Sequence, residues 1–188
     1  MCIRDRLTGE RLALNFMMRL CGIATHTRRT VERSGSLKVV DTRKTTPLMR
    51  RLERGAVRVG GGANHRFALY DGILIKDNHI RAAGGVAEAI RRARAHAQHL
   101  LKVEIEVETL DELREALDLG VDAVLLDNMD DDTLKQAIAI NAGRATLEAS
   151  GNMNADRIAR ISNIGLDVVS MGGLIHQATW ADLSMKVD

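Results

Sequence analysis

The sequence predicts an α/β fold of parallel strands behind a leading N-terminal helix, built either as an incomplete (open) α/β barrel or as a doubly wound sheet. Short β-branched runs alternate with longer amphipathic segments along most of the chain. Runs such as VVSM and AVLL are continuously apolar, as parallel strands covered on both faces require, and the segments between them have crossover length. The apolar runs stop at Lys44, Lys76, Glu106, Asp127, Ser150 and Gly172, which are separated by 32, 30, 21, 23 and 22 residues, near the length of a βα unit.

Each element follows in order. RLALNFMMRLCGIATHTRRTVE, residues 11–32, reads as an amphipathic helix, so residues 1–35 form a helical lead and 36–188 the α/β domain. LKVVDTRK (37–44) is the first strand, and TPLMRRLERGAVR is a helix with Pro47 near its first turn. GILIKDN (72–78) is the next strand and GGVAEAIRRARAHAQHL the next helix. Strands VEIEVET, AVLLDN, TLEASG and DVVSMGG then alternate with helices LDELREALDLG, DDTLKQAIAIN and NADRIARISNIG, and a short LSMKV closes a count of about seven strands. In barrels and open α/β sheets alike, ligands sit at the carboxyl ends of the strands, where the polar and glycine residues are found here.

Composition narrows the chemistry. The 188 residues are 45% hydrophobic and 28% charged with one proline, which describes a chain able to bury a full core. The net charge of +2 creates no field for nucleic acid or an acidic membrane, and 2% aromatic content gives no base-stacking platform. No nucleic-acid or membrane partner is expected. Cys2 and Cys21 make neither a metal-ligand pair nor a disulfide framework, and no transmembrane run or signal peptide is visible, so a cytoplasmic location is expected.

Cations instead concentrate locally. DTRKTTP (41–47), GGGANHR (60–66) and ILIKDNHI (73–80) together hold Arg43, Lys44, His65, Arg66, Lys76 and His79. Adjacent Arg43 and Lys44 can face one pocket only if the pleat breaks, and TTP supplies the break; otherwise they are a solvated strand end. The planar fork of Arg43 suits a carboxylate or phosphate. Gly60, Gly61 and Gly62 either let a ligand approach the backbone or simply shape a turn. Lys76 ends an apolar strand, so it is an anion anchor, a Schiff-base nucleophile, or a structural partner of Asp77 or Glu106. Glu106 and Asp127 end neighbouring strands and could share Mg2+, although Glu104 and Glu108 alternate with Glu106 on the same side. In EASGN (148–152) and SMGGL (170–174), Ser and Gly precede helix starts, as in a phosphate nest or in plain tight turns.

Taken together and in this order, DTRKTTP, GGGANHR, LIKDNHI, VEIEVE, LLDNM, EASG and VVSMGGLIH resemble the quinolinate phosphoribosyltransferase family. The resemblance runs from about Glu10 to the C-terminus and implies the barrel alternative. It implies transfer of the phosphoribosyl group from phosphoribosyl pyrophosphate to the ring nitrogen of quinolinate, with loss of pyrophosphate and CO2, giving nicotinate mononucleotide for NAD biosynthesis. A related transferase for another pyridine acid, or a phosphate-binding barrel without turnover, is the alternative.

By position, the resemblance makes Arg43, His65, Arg66 and Lys76 quinolinate-binding groups and places Lys44 near the phosphoribosyl donor. It makes Glu106 and Asp127 the acids near ribose and Mg2+, catalytic together with Lys76. Ser150, Gly151, Gly172 and Gly173 become the phosphate-binding loops. Arg11, in ERLALN, becomes an arginine delivered from a neighbouring subunit, which implies a homodimer or higher homo-oligomer with a shared active site. The family carries an N-terminal α/β domain ahead of the barrel, so the chain is expected to be an N-terminally truncated form, in doubt as a catalyst on its own. MCIRDRLT matches the family poorly, SGN stands where SGG is usual, and IHQ stands where THS is usual.

Overall fold

The computed structural model describes residues 3–186. Among them the order is α1 (Ile3–Val31), β1 (Lys38–Val40), α2 (Arg50–Val59), β2 (Ile73–Ile75), α3 (Asp77–Ala83), α4 (Val86–His96) and β3 (Val103–Val107). There follow α5 (Leu110–Asp118), β4 (Ala123–Asp127), α6 (Asp131–Asn141), β5 (Thr146–Ser150), α7 (Ala155–Ile161), β6 (Val168–Ser170) and α8 (Gly173–His176).

All pairings are parallel, and the sheet order is β1-β6-β5-β4-β3-β2. Read as a ring, that is the sequential order of an α/β barrel, opened between β1 and β2. The edge of β1 is covered by a single bridge from Val40 to Ala63, in the segment leading from α2 to β2. Among the described residues six strands form rather than the expected count of about seven: residues 183–186 of LSMKV adopt no strand, and Val187 lies outside the described residues, as does Cys2. A short helix not expected from the sequence, α3, follows β2 directly, and α8 starts where the Ser and Gly of SMGGL precede a helix start.

Strand alternation divides the side chains. Val103, Ile105 and Val107 of β3, Val124 and Leu126 of β4, and Leu147 and Ala149 of β5 point outward into the core shared with the helices. That core includes Ile90 of α4, Leu113 of α5, Leu134 of α6 and Ile158 of α7. The other set, including Leu74, Glu106, Leu125, Asp127, Glu148 and Ser150, lines the inside. The barrel interior is therefore polar, and VEIEVE alternates for that reason.

Helix starts are set by side-chain caps that satisfy the first backbone N–H groups. Thr109 accepts from the Glu112 N–H at 3.2 Å while Glu112 accepts from the Thr109 N–H, a capping box before α5. Asp130 accepts from the Thr133 N–H at 2.7 Å before α6, and Asn154 from the Arg157 N–H at 2.9 Å before α7. Helix α2 begins later than its sequence suggests. Leu48 has φ of 65°, so the chain turns once more after Pro47 and becomes helical only at Arg50.

Helix α1 packs on α2, α7, α8 and β1, burying Leu14, Gly22, Ile23, Thr27 and Thr30. Arg19 fastens it, donating at 2.8 Å to Glu53 of α2, which is wholly buried, and at 3.0 Å to the carbonyl of Ile175. The Thr46 N–H also donates to Glu53 at 2.8 Å, so the same carboxylate holds the loop that follows β1.

Candidate active site

A cavity of about 730 Å3 opens at the carboxyl ends of the strands, within the usual range for small-molecule sites. Arg43, Lys44, His65, Arg66, Lys76, Glu106, Asp127, Ser150, Gly151, Gly172 and Gly173 all line it, gathered from six strand ends and the α2–β2 segment. Arg11 is exposed on α1 and does not line this cavity.

Strand β1 ends at Val40, four residues before Lys44, and the side chain of Asp41 then enters a buried network. Its carboxylate accepts from Arg54 Nε at 3.0 Å, from the His65 N–H at 3.0 Å, and from Asn64. This network joins the turn after β1 to the NHR segment and thereby brings Arg43 and Arg66 into one wall. Arg66 donates to the Gly72 carbonyl at 2.8 Å, and its pKa is lowered by burial first and then by the charge of Arg43. Two guanidiniums held together in this way favour an anion between them.

Lys76 donates to Glu106, so the salt-bridge alternative for that lysine is present within the cavity. His79 serves the backbone: its Nδ1 accepts from the Lys76 N–H at 2.9 Å at the start of α3. Asp127, on the neighbouring strand end, accepts from Asn128 Nδ2 at 2.6 Å. Glu108 lies past the end of β3, exposed and used in the α5 cap, which separates it from Glu106.

The loop after β5 is tight. Gly151 has φ of 87°, and a Cβ there would stand 2.2 Å from Asn128 Oδ1, so glycine is required. Asn152 adopts φ of 50° and donates to Asn128 Oδ1 at 3.2 Å, tying the β5 loop to the β4 loop. A Cβ on Gly172 would stand 3.1 Å from Lys44 Cδ and 3.3 Å from His176 Nε2, which shows how closely the β6 and β1 ends approach.

Below the cations lies an acid cluster. His65 Nε2 is 3.2 Å from Glu104 Oε2 and 3.6 Å from Glu148 Oε2, while His65 Nδ1 accepts from the Arg66 N–H at 2.8 Å. With Nδ1 an acceptor, the proton sits on Nε2 and both ring nitrogens face protein groups. Burial acts to lower the His65 pKa, but the hydrogen bond to Glu104 and the charges of Glu148 and Glu104 outweigh it and raise it. The Glu148 carboxyl is pushed up to about 7, by burial first and then by Glu104. Sequence reasoning missed Glu148 and set Glu104 aside. The available signal was register: Glu148 lies two residues before Ser150, on the same strand face.

Comparison with known proteins places this arrangement. Residues 23–186 match the family model described as quinolinate phosphoribosyl transferase, C-terminal domain. The chain belongs to the quinolinate phosphoribosyl transferase family. It is 45% identical over 183 residues to the probable nicotinate-nucleotide pyrophosphorylase [carboxylating] of Bacillus subtilis, a match covering 96% of the chain and 63% of that protein. It is 37% identical to the chloroplastic nicotinate-nucleotide pyrophosphorylase [carboxylating] of Oryza sativa, covering 100% and 55%. The crystal structure of NadC from Streptococcus pyogenes superposes with a TM-score of 0.95 at 49% identity, over 100% of the chain and 66% of that structure. The chain thus spans 55–66% of the length of these family members.

Proposed function

We propose that this chain is the barrel portion of a carboxylating nicotinate-nucleotide pyrophosphorylase, transferring the phosphoribosyl group of phosphoribosyl pyrophosphate to the quinolinate ring nitrogen, with loss of CO2 and pyrophosphate. The observation that carries this reading is the meeting, in one 730 Å3 cavity, of Arg43, Lys44, Arg66 and Lys76 with the Ser150–Gly151 and Gly172–Gly173 loops. A dicarboxylate and a polyphosphate bring several negative charges, and binding both needs such a wall of cations.

Arg43 and Arg66 grip the ring carboxylates. Lys44 and the glycine loops take phosphate oxygens, with backbone N–H groups that no Cβ obstructs at Gly151. Lys76, released from Glu106 as ligand enters, meets the substrate from the β2 edge. Holding both reactants turns a bimolecular encounter into an oriented one. After the ring nitrogen is alkylated, its positive charge stabilises the electron pair left on the adjacent ring carbon as CO2 departs, and a proton from water completes the new C–H bond. Glu106 and Asp127, hard oxygen donors facing one cavity from adjacent strands, fit Mg2+; bound there, it would neutralise charge on the pyrophosphate.

The partner is a second copy of the chain. Leu7, Leu12, Phe16 and Met17 of α1 are exposed apolar residues on the helix that carries Arg11, and a homodimer would cover them while presenting Arg11 to the other subunit's cavity. We place the protein in the cytoplasm; no helix among the described residues is long and apolar enough to cross a membrane.

The test is CO2 release from carboxyl-labelled quinolinate with phosphoribosyl pyrophosphate and Mg2+, using the chain alone and joined to a family N-terminal domain. Release that is lost in Lys76→Ala is expected. No release from either form, with no quinolinate binding, would reject the reading.

A further inference from the structure

The proposed reaction leaves Glu148 without a task, yet its situation is unusual. Its side chain is 6% exposed, it lines the cavity, and its Oε1 is buried without a hydrogen-bond partner. Buried polar atoms are rarely left in this state unless a ligand or water completes them.

The neighbours define what kind of partner is missing. Glu148 is faced by Glu104 from β3, His65 from the α2–β2 segment, Lys76 after β2, and the Ser170 hydroxyl on β6. His65 offers one N–H to two carboxyls; Glu104 takes it at 3.2 Å, while 3.6 Å to Glu148 is too long for a hydrogen bond. Lys76 is engaged by Glu106. Two carboxylates this close, with only the His65 N–H and the neutral Ser170 hydroxyl as donors, cannot both stay ionised without cost.

A metal ion shared by His65, Glu104 and Glu148 is the obvious other occupant, since their ligand atoms lie within 4.8 Å of one another. The histidine tautomer argues against it. A metal at Nε2 needs the proton on Nδ1, where the Arg66 N–H already donates.

We infer that Glu148 is a substrate-contacting residue, a neutral carboxylic acid whose O–H donates a hydrogen bond to a carboxylate of the pyridine diacid at the cavity floor. This rests on the functional reading above. A pyridine dicarboxylate presents only acceptors, so Glu148 can bond to it only as a donor. The tendency of this carboxyl to hold its proton up to about pH 7 agrees with that role. Arg43 and Arg66 then supply charge, and Glu148 supplies a direction-selective contact that a monoanion lacking the second carboxylate could not use.

Calorimetric titration of the 188-residue chain with quinolinate at pH 6 and pH 8.5 tests the inference, comparing wild type, Glu148→Gln and Glu148→Leu, with thermal melts to verify folding. The wild type should bind more weakly by about tenfold at pH 8.5. Gln, which keeps a donor, should retain affinity within about threefold at pH 6 and show a weaker pH dependence than the wild type, since His65 titrates in both; Leu should lose about tenfold or more at pH 6. Infrared difference spectra of the ligand-free protein should show a carboxylic-acid carbonyl band at pH 6 that is absent in Glu148→Gln. If Gln loses as much affinity as Leu while the wild type binds, an ionised carboxylate is required and the inference falls alone. If metal-free wild type gains affinity only on adding Mn2+ and Gln does not, the metal occupant is correct instead. If the wild type takes up no quinolinate at either pH, the functional reading fails and the inference with it.

Discussion

Asp41 and Glu148 are both buried carboxyls next to His65, and they sit in opposite situations. Asp41, fully buried, accepts from Arg54, Asn64 and the backbone N–H of His65, and Arg54 also donates to the Arg66 carbonyl at 3.0 Å. Glu148 has the neutral Ser170 hydroxyl, a shared imidazole N–H out of reach and one oxygen with no partner. Burial raises the pKa of both. The difference is that the Asp41 cluster is closed by protein donors whereas the Glu148 cluster is open on the cavity side. A closed cluster holds the chain in place, and an open one waits for a ligand.

The largest effect should come from opening the closed cluster. Arg54→Leu leaves Asp41 buried without its charged partner and should cost about 3–5 kcal/mol in denaturant unfolding, releasing the NHR segment as well. A loss below about 1 kcal/mol would mean that the cluster is ornamental.

Next comes the removal of the titrating proton from the open cluster. The folded Glu148 keeps its proton up to about pH 7, whereas an ordinary glutamate loses it near 4.5, so between these values the folded state binds more protons than the unfolded one. Stability of the wild type must therefore fall as pH rises through this window. Glu148→Gln should match the wild type below pH 4.5 and gain on it towards pH 8, by up to roughly 3 kcal/mol. Melting temperatures at pH 4, 6 and 8 would show the divergence; parallel curves would refute it.

A smaller change separates charge from hydrogen bonding in the closed cluster. Asn64→Ala removes a donor to Asp41 and another to the Arg54 carbonyl at 3.1 Å, for a loss of about 1–2 kcal/mol with little pH dependence near neutrality. The smallest is in the neighbour that keeps Glu148 protonated. Glu104→Gln still offers an oxygen to His65 Nε2 but removes a negative charge, so the Glu148 transition should move to lower pH, read as the midpoint of its infrared band. An unmoved midpoint would leave burial as the sole cause.

Much of the site was legible as a list. Arg43, Lys44 and Lys76 stand out because cations at the end of apolar strands need a reason, Arg66 because it follows the glycine run in GGGANHR, and Gly151 because it stands between a strand end and a helix start in EASGN. The resemblance then chose Glu106 from three alternating glutamates. Glu148 stayed hidden because its environment is made by residues 44 and 83 positions away, Glu104 and His65, and no local pattern records that distance. Asp41 and Arg54 were hidden for the same reason. In DTRKTTP, Asp41 looks like one more loop polar residue until the helix α2 arginine is seen to reach it.

The sequence by itself determined the βα alternation, the strands' parallel character, the family and the cation inventory, because these depend on periodicity and on short contiguous motifs. The tertiary structure alone decided where the ring opens and which acids share a floor. Those properties depend on register between strands distant in sequence, and a parallel sheet fixes register only when every crossover has packed.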